Sequence, residues 1–172
     1  CAPGGRQPLI DKEAQTMNEL ITRVTVQSLT DLLQDAGYRV NPSEQNGIVQ
    51  LLSASQGIGF AVRFGNPSPE QDGYVDFTYS CALRVQGQLP EGLTQVWNAS
   101  RRFARLSQQG EFLLMEMDVV VAGVGASHLR SQLELWDRLL QEFIVYLREY
   151  SQQAAQLQAQ AAAAVDEEAP VL

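Results

Sequence analysis

The chain has 172 residues, of which 45% are hydrophobic and 19% are charged, as expected for one globular domain with extensions at its ends. Its 20 acidic and 12 basic residues leave a net charge of −8, which disfavours binding to the phosphate backbone of nucleic acids. Two Cys and one His cannot build a zinc site or a disulfide framework within one chain. No apolar run approaches the roughly 18 residues of a membrane span. We therefore expect no nucleic-acid partner, no membrane span, no metal and no other cofactor.

The N-terminal segment 1–16 contains Pro and Gly but no apolar period, and we interpret it as a flexible extension. Met17 stands directly before the first periodic segment, which makes it an alternative natural start. A chain that begins with Cys also matches a bacterial lipoprotein after cleavage before its acylated Cys. Because Met17 offers an alternative start, we favour a cytoplasmic location over an exported lipoprotein acylated at Cys1.

The C-terminal segment 151–172 is rich in Ala and Gln and ends in an acidic tip. It has almost no large apolar side chain to bury, so we interpret it as a tail outside the folded domain, which we assign to residues 17–150. Ala and Gln favour helices, so we expect the preceding helix to run into the tail and to fray at Asp166 or at Pro170. We favour a solvated extension over a protein-binding role for this tail.

The first half of the domain is predicted to contain one helix and three strands. Apolar residues at helical spacing predict a helix over Val26–Ala36, with Thr25 as its N-cap and Gly37 just beyond its end. A polar turn is predicted over Pro42–Gly47. The strands that follow are Ile48–Ala54, Ile58–Phe64 and Tyr74–Val85, with Cys81 among the inward residues of the third.

The second half is predicted to contain two helices and two strands. A helix over Leu93–Phe103 follows Pro90 and Gly92. Two strands joined by a turn at Gln108–Gly110 come next, and Ser127 is expected to cap the last helix. The strands are Arg102–Ser107 and Glu111–Val121. The order α-β-β-β-α-β-β-α, with hairpin turns instead of long crossovers, predicts an α+β domain with an antiparallel sheet.

The segment Val96–Gly123 combines a Trp-Asn pair, an Arg-Phe pair, a further Arg and an acidic strand motif. These elements are Trp97-Asn98, Arg102-Phe103, Arg105, Gly110, Leu114 and Glu116-Met117-Asp118. In this combination the segment resembles the signature of the YbjN-domain family, the bacterial sensory transduction regulators, and the resemblance covers about 25–147. It implies a fold similar to type III secretion chaperones and no established catalytic activity. Domains of that fold commonly pair through a helix or an open sheet edge, so we also expect a homodimer.

The motif residues on the second predicted helix have two interpretations. Trp97 and Asn98 could contact a ligand or a protein partner. Alternatively, Trp97 is buried against the sheet while Asn98 caps a local backbone group, which we favour because buried aromatic residues and local Asn hydrogen bonds are common. Trp136 lies on the apolar stripe of the last helix, and we expect it in the core, with an exposed partner-binding seam as the alternative.

The charged residues of the motif also have two interpretations. The cluster Arg101, Arg102 and Arg105 could hold a carboxylate or phosphate of a partner through bidentate hydrogen bonds. Glu116 and Asp118 are two residues apart on one strand and so share a face, as a general acid/base pair or a metal site would require. The favoured alternative is that the arginines pair with these carboxylates across the hairpin.

Two hypotheses about function follow. The favoured one is a non-catalytic protein-interaction domain, a chaperone-like adaptor or regulator of bacterial sensory or stress signalling, and not an enzyme. The other is a small-ligand-binding or enzymatic domain that uses Glu116, Asp118 and the arginines 101, 102 and 105; a cavity around these side chains would favour it, and mutual ion pairs would count against it. The residues that carry partner binding or the structural signature are Trp97, Asn98, Arg101, Arg102, Phe103, Arg105, Glu116, Asp118 and Trp136.

Overall fold

A computed structural model describes residues 19–167 of the chain. These residues form three helices and six strands in the order α-β-β-β-β-α-β-β-α, which confirms the predicted α+β class and adds one strand to the predicted order. The elements are α1 Val26–Asp35, β1 Asn41–Gln45, β2 Ile48–Ser55, β3 Ile58–Phe64, β4 Asp76–Arg84, α2 Leu93–Ser100, β5 Arg105–Gln109, β6 Phe112–Val120 and α3 Ala126–Glu167.

The six strands form one sheet in the order β1-β2-β3-β4-β6-β5, and every neighbouring pair is antiparallel. β4 and β6 lie in the middle and pair along their whole length, from Asp76 opposite Val120 to Arg84 opposite Phe112. β1 and β5 are the two edges. The sheet is therefore built on hairpins and on one central pairing between strands that α2 and β5 separate in the sequence.

The helices cover one side of this sheet, which we call the inner face. Alternate strand residues are buried there, including Phe77, Tyr79 and Cys81 of β4, and the buried position of Cys81 agrees with the prediction. The stripe of α3 packs on them through Leu133, Trp136, Leu140 and Phe143, all nearly inaccessible to solvent. The opposite side, which we call the outer face, carries the intervening strand residues.

The capping signals of α1 predict its ends well. The Thr25 hydroxyl accepts a hydrogen bond from the Ser28 backbone N–H at 3.0 Å, and the Ser28 hydroxyl accepts one from the Thr25 N–H at 2.8 Å. The helix ends before Gly37, whose φ of +94° lies in the region that glycine tolerates best. Both ends are thus set by local chemistry that can be read from the residues.

The turn predicted over Pro42–Gly47 is wrong for most of its length. Residues 41–45 form β1, and only Asn46 and Gly47, both with positive φ, make the turn into β2. A strand at the edge of a sheet needs only backbone hydrogen bonds to one neighbour, so it can be polar and can hold a proline. The apolar alternation that identifies a buried strand is therefore missing here.

Three other predicted boundaries are also corrected. α2 ends at Ser100 and not at Phe103, because Arg101 takes an extended conformation. β5 accordingly begins at Arg105 and runs to Gln109. Ser127 lies inside the first turn of α3 and is not its cap, since the Gly125 carbonyl already accepts the hydrogen bond from the Leu129 N–H.

α3 continues to Glu167, as expected for a helix that runs into the Ala- and Gln-rich segment. Its side chains over residues 151–164 are mostly exposed, including Leu157. The flexible extension predicted for 1–16 and the fraying point at Pro170 lie outside the described residues. Within residues 19–167, no helix combines the length and the apolar character needed to cross a bilayer.

Candidate functional site

The charged residues of the motif gather on the outer face of the sheet. Glu116 and Asp118 of β6 lie there together, and Arg105 of β5 is directly opposite Glu116. Thr78 of β4 is opposite Asp118 on the other side of β6. Arg63 of β3 is opposite Thr78 in turn. We call Arg63, Arg105, Glu116 and Asp118 the outer-face charge cluster.

Glu116 is only 5% exposed although it lies on the uncovered side of the sheet. Its carboxylate accepts a hydrogen bond from the Arg63 guanidinium, which reaches it from β3 across β4. Sequence reasoning missed this partner. Phe60 and Val62 alternate towards the inner face, so the same alternation would have placed Arg63 on the outer face, but the β3-β4-β6 order could not be read from the sequence.

Asp118 has two partners on the neighbouring strands. The Arg105 Nη1 donates to its carboxylate at 2.8 Å, and the Thr78 Oγ1 donates at 2.6 Å. Partial burial raises the pKa of Asp118, but the Thr78 hydrogen bond and the Arg105 guanidinium outweigh it and hold that pKa below its ordinary value. Asp118 is therefore ionised at neutral pH and accepts hydrogen bonds from both neighbouring strands.

Trp97 and Asn98 attach α2 to the start of β5. Trp97 is fully buried, and its indole N–H donates to the Ala104 carbonyl at 3.1 Å. The Asn98 side chain accepts from the Leu106 N–H at 2.7 Å and donates to the Leu106 carbonyl at 2.9 Å. This is the structural arrangement favoured from the sequence, with Asn98 completing a backbone ladder at the edge of the sheet.

Arg101 is held by aromatic rings and not by a carboxylate. Its guanidinium carbon lies 4.4 Å from the centroid of the Trp97 ring and 4.7 Å from that of Tyr146. The Tyr146 hydroxyl donates to the Leu93 carbonyl at 2.6 Å, which fixes the ring beside α2. Sequence reasoning did not single out Tyr146, because nothing in the local pattern indicates that α3 packs beside α2 and Arg101.

Arg102 and Phe103 project from the connection between α2 and β5. Phe103 is 63% exposed and has a φ of +79°, a backbone conformation that L-residues rarely adopt. Arg102 is exposed, and it makes no ion pair within the described part of the chain. We call residues 101–104 the Arg102–Phe103 loop. It is where the motif presents an aromatic ring and a cation to solvent.

Trp136 lies at the centre of the inner face. Its ring stacks on Tyr79 with centroids 5.4 Å apart and meets Phe60 edge-on at 5.9 Å. Trp136 is fully buried by this one chain, as predicted for a core residue. An exposed partner-binding seam at this position is therefore wrong for the folded chain.

The arrangement of these groups favours structural pairing over chemistry. The two carboxylates of β6 each accept a hydrogen bond from an arginine, and a cavity of about 510 Å³ lies elsewhere, beside Arg84, Gly87 and Glu111. A second cavity of about 350 Å³ lies between α1 and the start of α3. Among residues 19–167 no three His, Cys, Asp or Glu side chains come together as a metal site would require.

Comparison with known proteins adds one clear result. No curated protein matches this chain significantly. A family model does match, with the description "Putative bacterial sensory transduction regulator", over residues 25–149. That range includes both faces of the sheet, the outer-face charge cluster and the Arg102–Phe103 loop. Since it spans most of the sequence, the chain belongs to the YbjN family.

Proposed function

We propose that this chain is a non-catalytic protein-interaction domain, a chaperone-like adaptor or regulator in bacterial sensory or stress signalling, working in the cytoplasm. The family description supports a regulatory role. The observation that carries the proposal is the Arg102–Phe103 loop, where a large aromatic side chain is exposed on a strained backbone. The partner that fits this loop is a protein with an apolar pocket beside acidic side chains.

The backbone at Phe103 argues against a purely structural role for this side chain. A positive φ destabilises an L-residue by about 1–2 kcal/mol, and glycine would remove that strain. The exposed ring buries little apolar surface in this chain to offset the strain. Aromatic residues and arginine are enriched at protein interfaces, so a bound partner would supply the missing burial.

The enzymatic alternative loses its support in the outer-face charge cluster. A general acid or base must have a free position beside it for the reacting group. The carboxylates of Glu116 and Asp118 instead accept hydrogen bonds from Arg63 and Arg105. Arginines in such pairs are also unavailable to hold a phosphate or carboxylate ligand.

The test compares tagged versions of the full chain in pull-downs from a bacterial lysate. Phe103→Gly should lose the captured partner while its thermal midpoint stays equal or rises, because the substitution relieves the strain. Arg102→Glu should also lose the partner, without a change in midpoint. The matched control is Val145→Ala on α3, which removes a side chain that is 48% exposed and should leave capture unchanged.

The same experiment separates binding from folding. A structural role for Phe103 would lower the midpoint of Phe103→Gly and would reduce the capture of every protein together. If wild type, Phe103→Gly and Arg102→Glu all capture the same proteins in equal amounts, the Arg102–Phe103 loop is not the docking site and the proposal loses its basis.

A further inference from the structure

The two edges of the sheet can be compared through the backbone groups that they direct outward. β1 forms one edge and β5 the other, and a two-residue turn joins each of them to its neighbouring strand. In such a hairpin the residues beside the turn exchange backbone hydrogen bonds, and so does every second residue along the strand. The residues in between direct their N–H and C=O groups away from the neighbouring strand, towards the edge.

The β5 edge follows this pattern and is closed. Leu106 is one of the residues that the pattern turns outward. The Asn98 side chain accepts from the Leu106 N–H and donates to the Leu106 carbonyl, so it takes the place of a neighbouring strand. The helix that carries Asn98, α2, packs beside β5. A further strand therefore has no access to the first half of this edge.

The β1 edge is open. The same pattern pairs Ser43 and Gln45 with β2 and turns Pro42 and Glu44 outward. The outward groups are the Glu44 N–H and the carbonyls of Glu44 and Pro42, and none of them has a hydrogen-bond partner within residues 19–167. Proline fits this outward position because it has no N–H to leave unpaired. Both residues are exposed to solvent.

We propose that the β1 edge binds an extended segment of a partner protein, which adds to the sheet as a seventh strand. Unpaired N–H and C=O groups in a row on an edge strand pair with a second extended backbone, as in other cases of strand addition. The side chains of β1 are polar apart from its proline, so a helix or an apolar ligand would find little surface to bury there. The backbone groups therefore identify the occupant.

Two side chains of β1 define which segment fits. Glu44 is opposite Val49 and Pro42 is opposite Leu51, which is fully buried, so both lie on the inner side of the sheet. Glu44 has no ion pair within residues 19–167, and an opposite charge directly across a strand pair is stabilising. The fitting segment has Lys or Arg opposite Glu44 and, two residues away, an apolar side chain opposite Pro42. A second copy of β1 contains neither Lys nor Arg.

The first experiment selects random peptides displayed on phage for binding to the full chain. The selected peptides should combine a basic residue with an apolar residue two positions away. Glu44→Pro removes the outward N–H but no hydrogen bond to β2, and it should weaken their binding at least about tenfold. The matched control is Gln108→Pro, the same change at an outward position of β5, which should leave binding unchanged.

The peptides themselves provide an arm that does not depend on the folding of Glu44→Pro. Only one side of an added strand bonds to β1, so N-methylation of one set of alternate peptide residues should abolish binding, and N-methylation of the other set should not. The β1 edge shares no residue with the Arg102–Phe103 loop. Phe103→Gly should therefore bind the peptides like wild type, and the two docking proposals can fail separately.

Amide hydrogen exchange tests the edge without a ligand. In the free full chain the Glu44 N–H should exchange at least about tenfold faster than the Ser43 N–H, which is bonded to β2, and a selected peptide should slow it. Protection of Glu44 in the free chain overturns the proposal. It assigns the edge to a second copy if the protection rises with protein concentration, and otherwise to residues 1–18. Peptides that bind Glu44→Pro as tightly as wild type, or a selection that yields no specific peptide, also overturn it.

Discussion

The inner and outer faces of the sheet are built from alternate residues of the same strands, and they differ in almost every property. On β6, Met115 and Met117 are buried under the helices, whereas Glu116 and Asp118 point to the other side and form ion pairs. Because side chains alternate along a strand, one register fixes both faces at once. The difference shows that the inner face holds the domain together, while the outer face carries its charge pattern.

The energetic terms on the two faces also differ in size. Burial of aromatic and aliphatic side chains contributes roughly 1.5–3 kcal/mol each, and the inner face contains most of them. Ion pairs with solvent access contribute roughly 0–1 kcal/mol. Substitutions on the inner face should therefore change the free energy of unfolding, and those on the outer face should change charge and association.

The largest effect is expected for Trp136→Ala on the inner face. The substitution removes a fully buried ring that contacts Tyr79 and Phe60, and it leaves a cavity, so the free energy of unfolding should fall by about 3–5 kcal/mol. Urea unfolding followed by circular dichroism measures the loss. The outer-face control, Leu52→Ala, should lower the free energy by less than about 1 kcal/mol.

The comparison of the faces would be wrong if these two variants had similar unfolding midpoints. Equal losses would mean that the outer face is buried against something in solution. Unfolding measured at two protein concentrations distinguishes the two causes. A loss of stability caused by weaker self-association depends on protein concentration, whereas a loss caused by a cavity in the core does not.

An intermediate effect is expected at Glu116, the outer-face residue that is buried. Glu116→Gln keeps the shape of the side chain but removes the charge that pairs with Arg63, and it should lower the free energy of unfolding by about 2 kcal/mol. The loss should be smaller than for an interior pair because Arg63 is half exposed and can be solvated. An unchanged urea midpoint would show that this ion pair contributes nothing measurable to stability.

The fold was predictable where side-chain pattern decides the structure. The inward residues of β4 and the stripe of α3 follow regular periods, and the caps of α1 follow local hydrogen-bond chemistry. Strand β1 was missed because its pairing depends on the backbone and a neighbour, not on its own polar side chains. Phe103 was placed on a helical face because its period fits, but the contacts of Trp97 and Asn98 with β5 end the helix earlier.

The candidate site was predictable only in part. Strand alternation put Glu116 and Asp118 on one face, and the hairpin made Arg105 a neighbour of both. The pairing of Glu116 with Arg63 depends on the order of strands in the sheet, which no local pattern specifies. The same limit applies to Arg101, whose ring partner Tyr146 comes from the far end of the chain.

A smaller effect is expected in the pH dependence of stability through Asp118. Its pKa is lower in the folded chain than its ordinary value of 3.8, so the folded state favours the ionised carboxylate. The resulting stabilisation is complete above that ordinary value and is lost as the pH falls through the lower, folded pKa. Urea midpoints measured from pH 6 down to about pH 3 should therefore decline less steeply for Asp118→Asn than for wild type.

A matched control for this pH series is Glu149→Gln on α3, which removes an exposed carboxylate that has no ion pair within residues 19–167. The urea midpoint of Glu149→Gln should decline with falling pH as steeply as that of wild type. Identical slopes for wild type and Asp118→Asn would show that the Arg105 and Thr78 contacts do not favour the charged form in solution.

The smallest effect on stability in this series is expected for Tyr79 on the inner face. Its hydroxyl is buried without a hydrogen-bond partner among the described residues, and burial raises its pKa, so it stays neutral. Tyr79→Phe removes an unsatisfied polar group and should leave the free energy of unfolding unchanged or raise it by up to about 1 kcal/mol. Tyr146→Phe is the control, because that hydroxyl donates to the Leu93 carbonyl, and it should lose about 1 kcal/mol. A clear loss for Tyr79→Phe would instead indicate an ordered water inside the core beside Trp136.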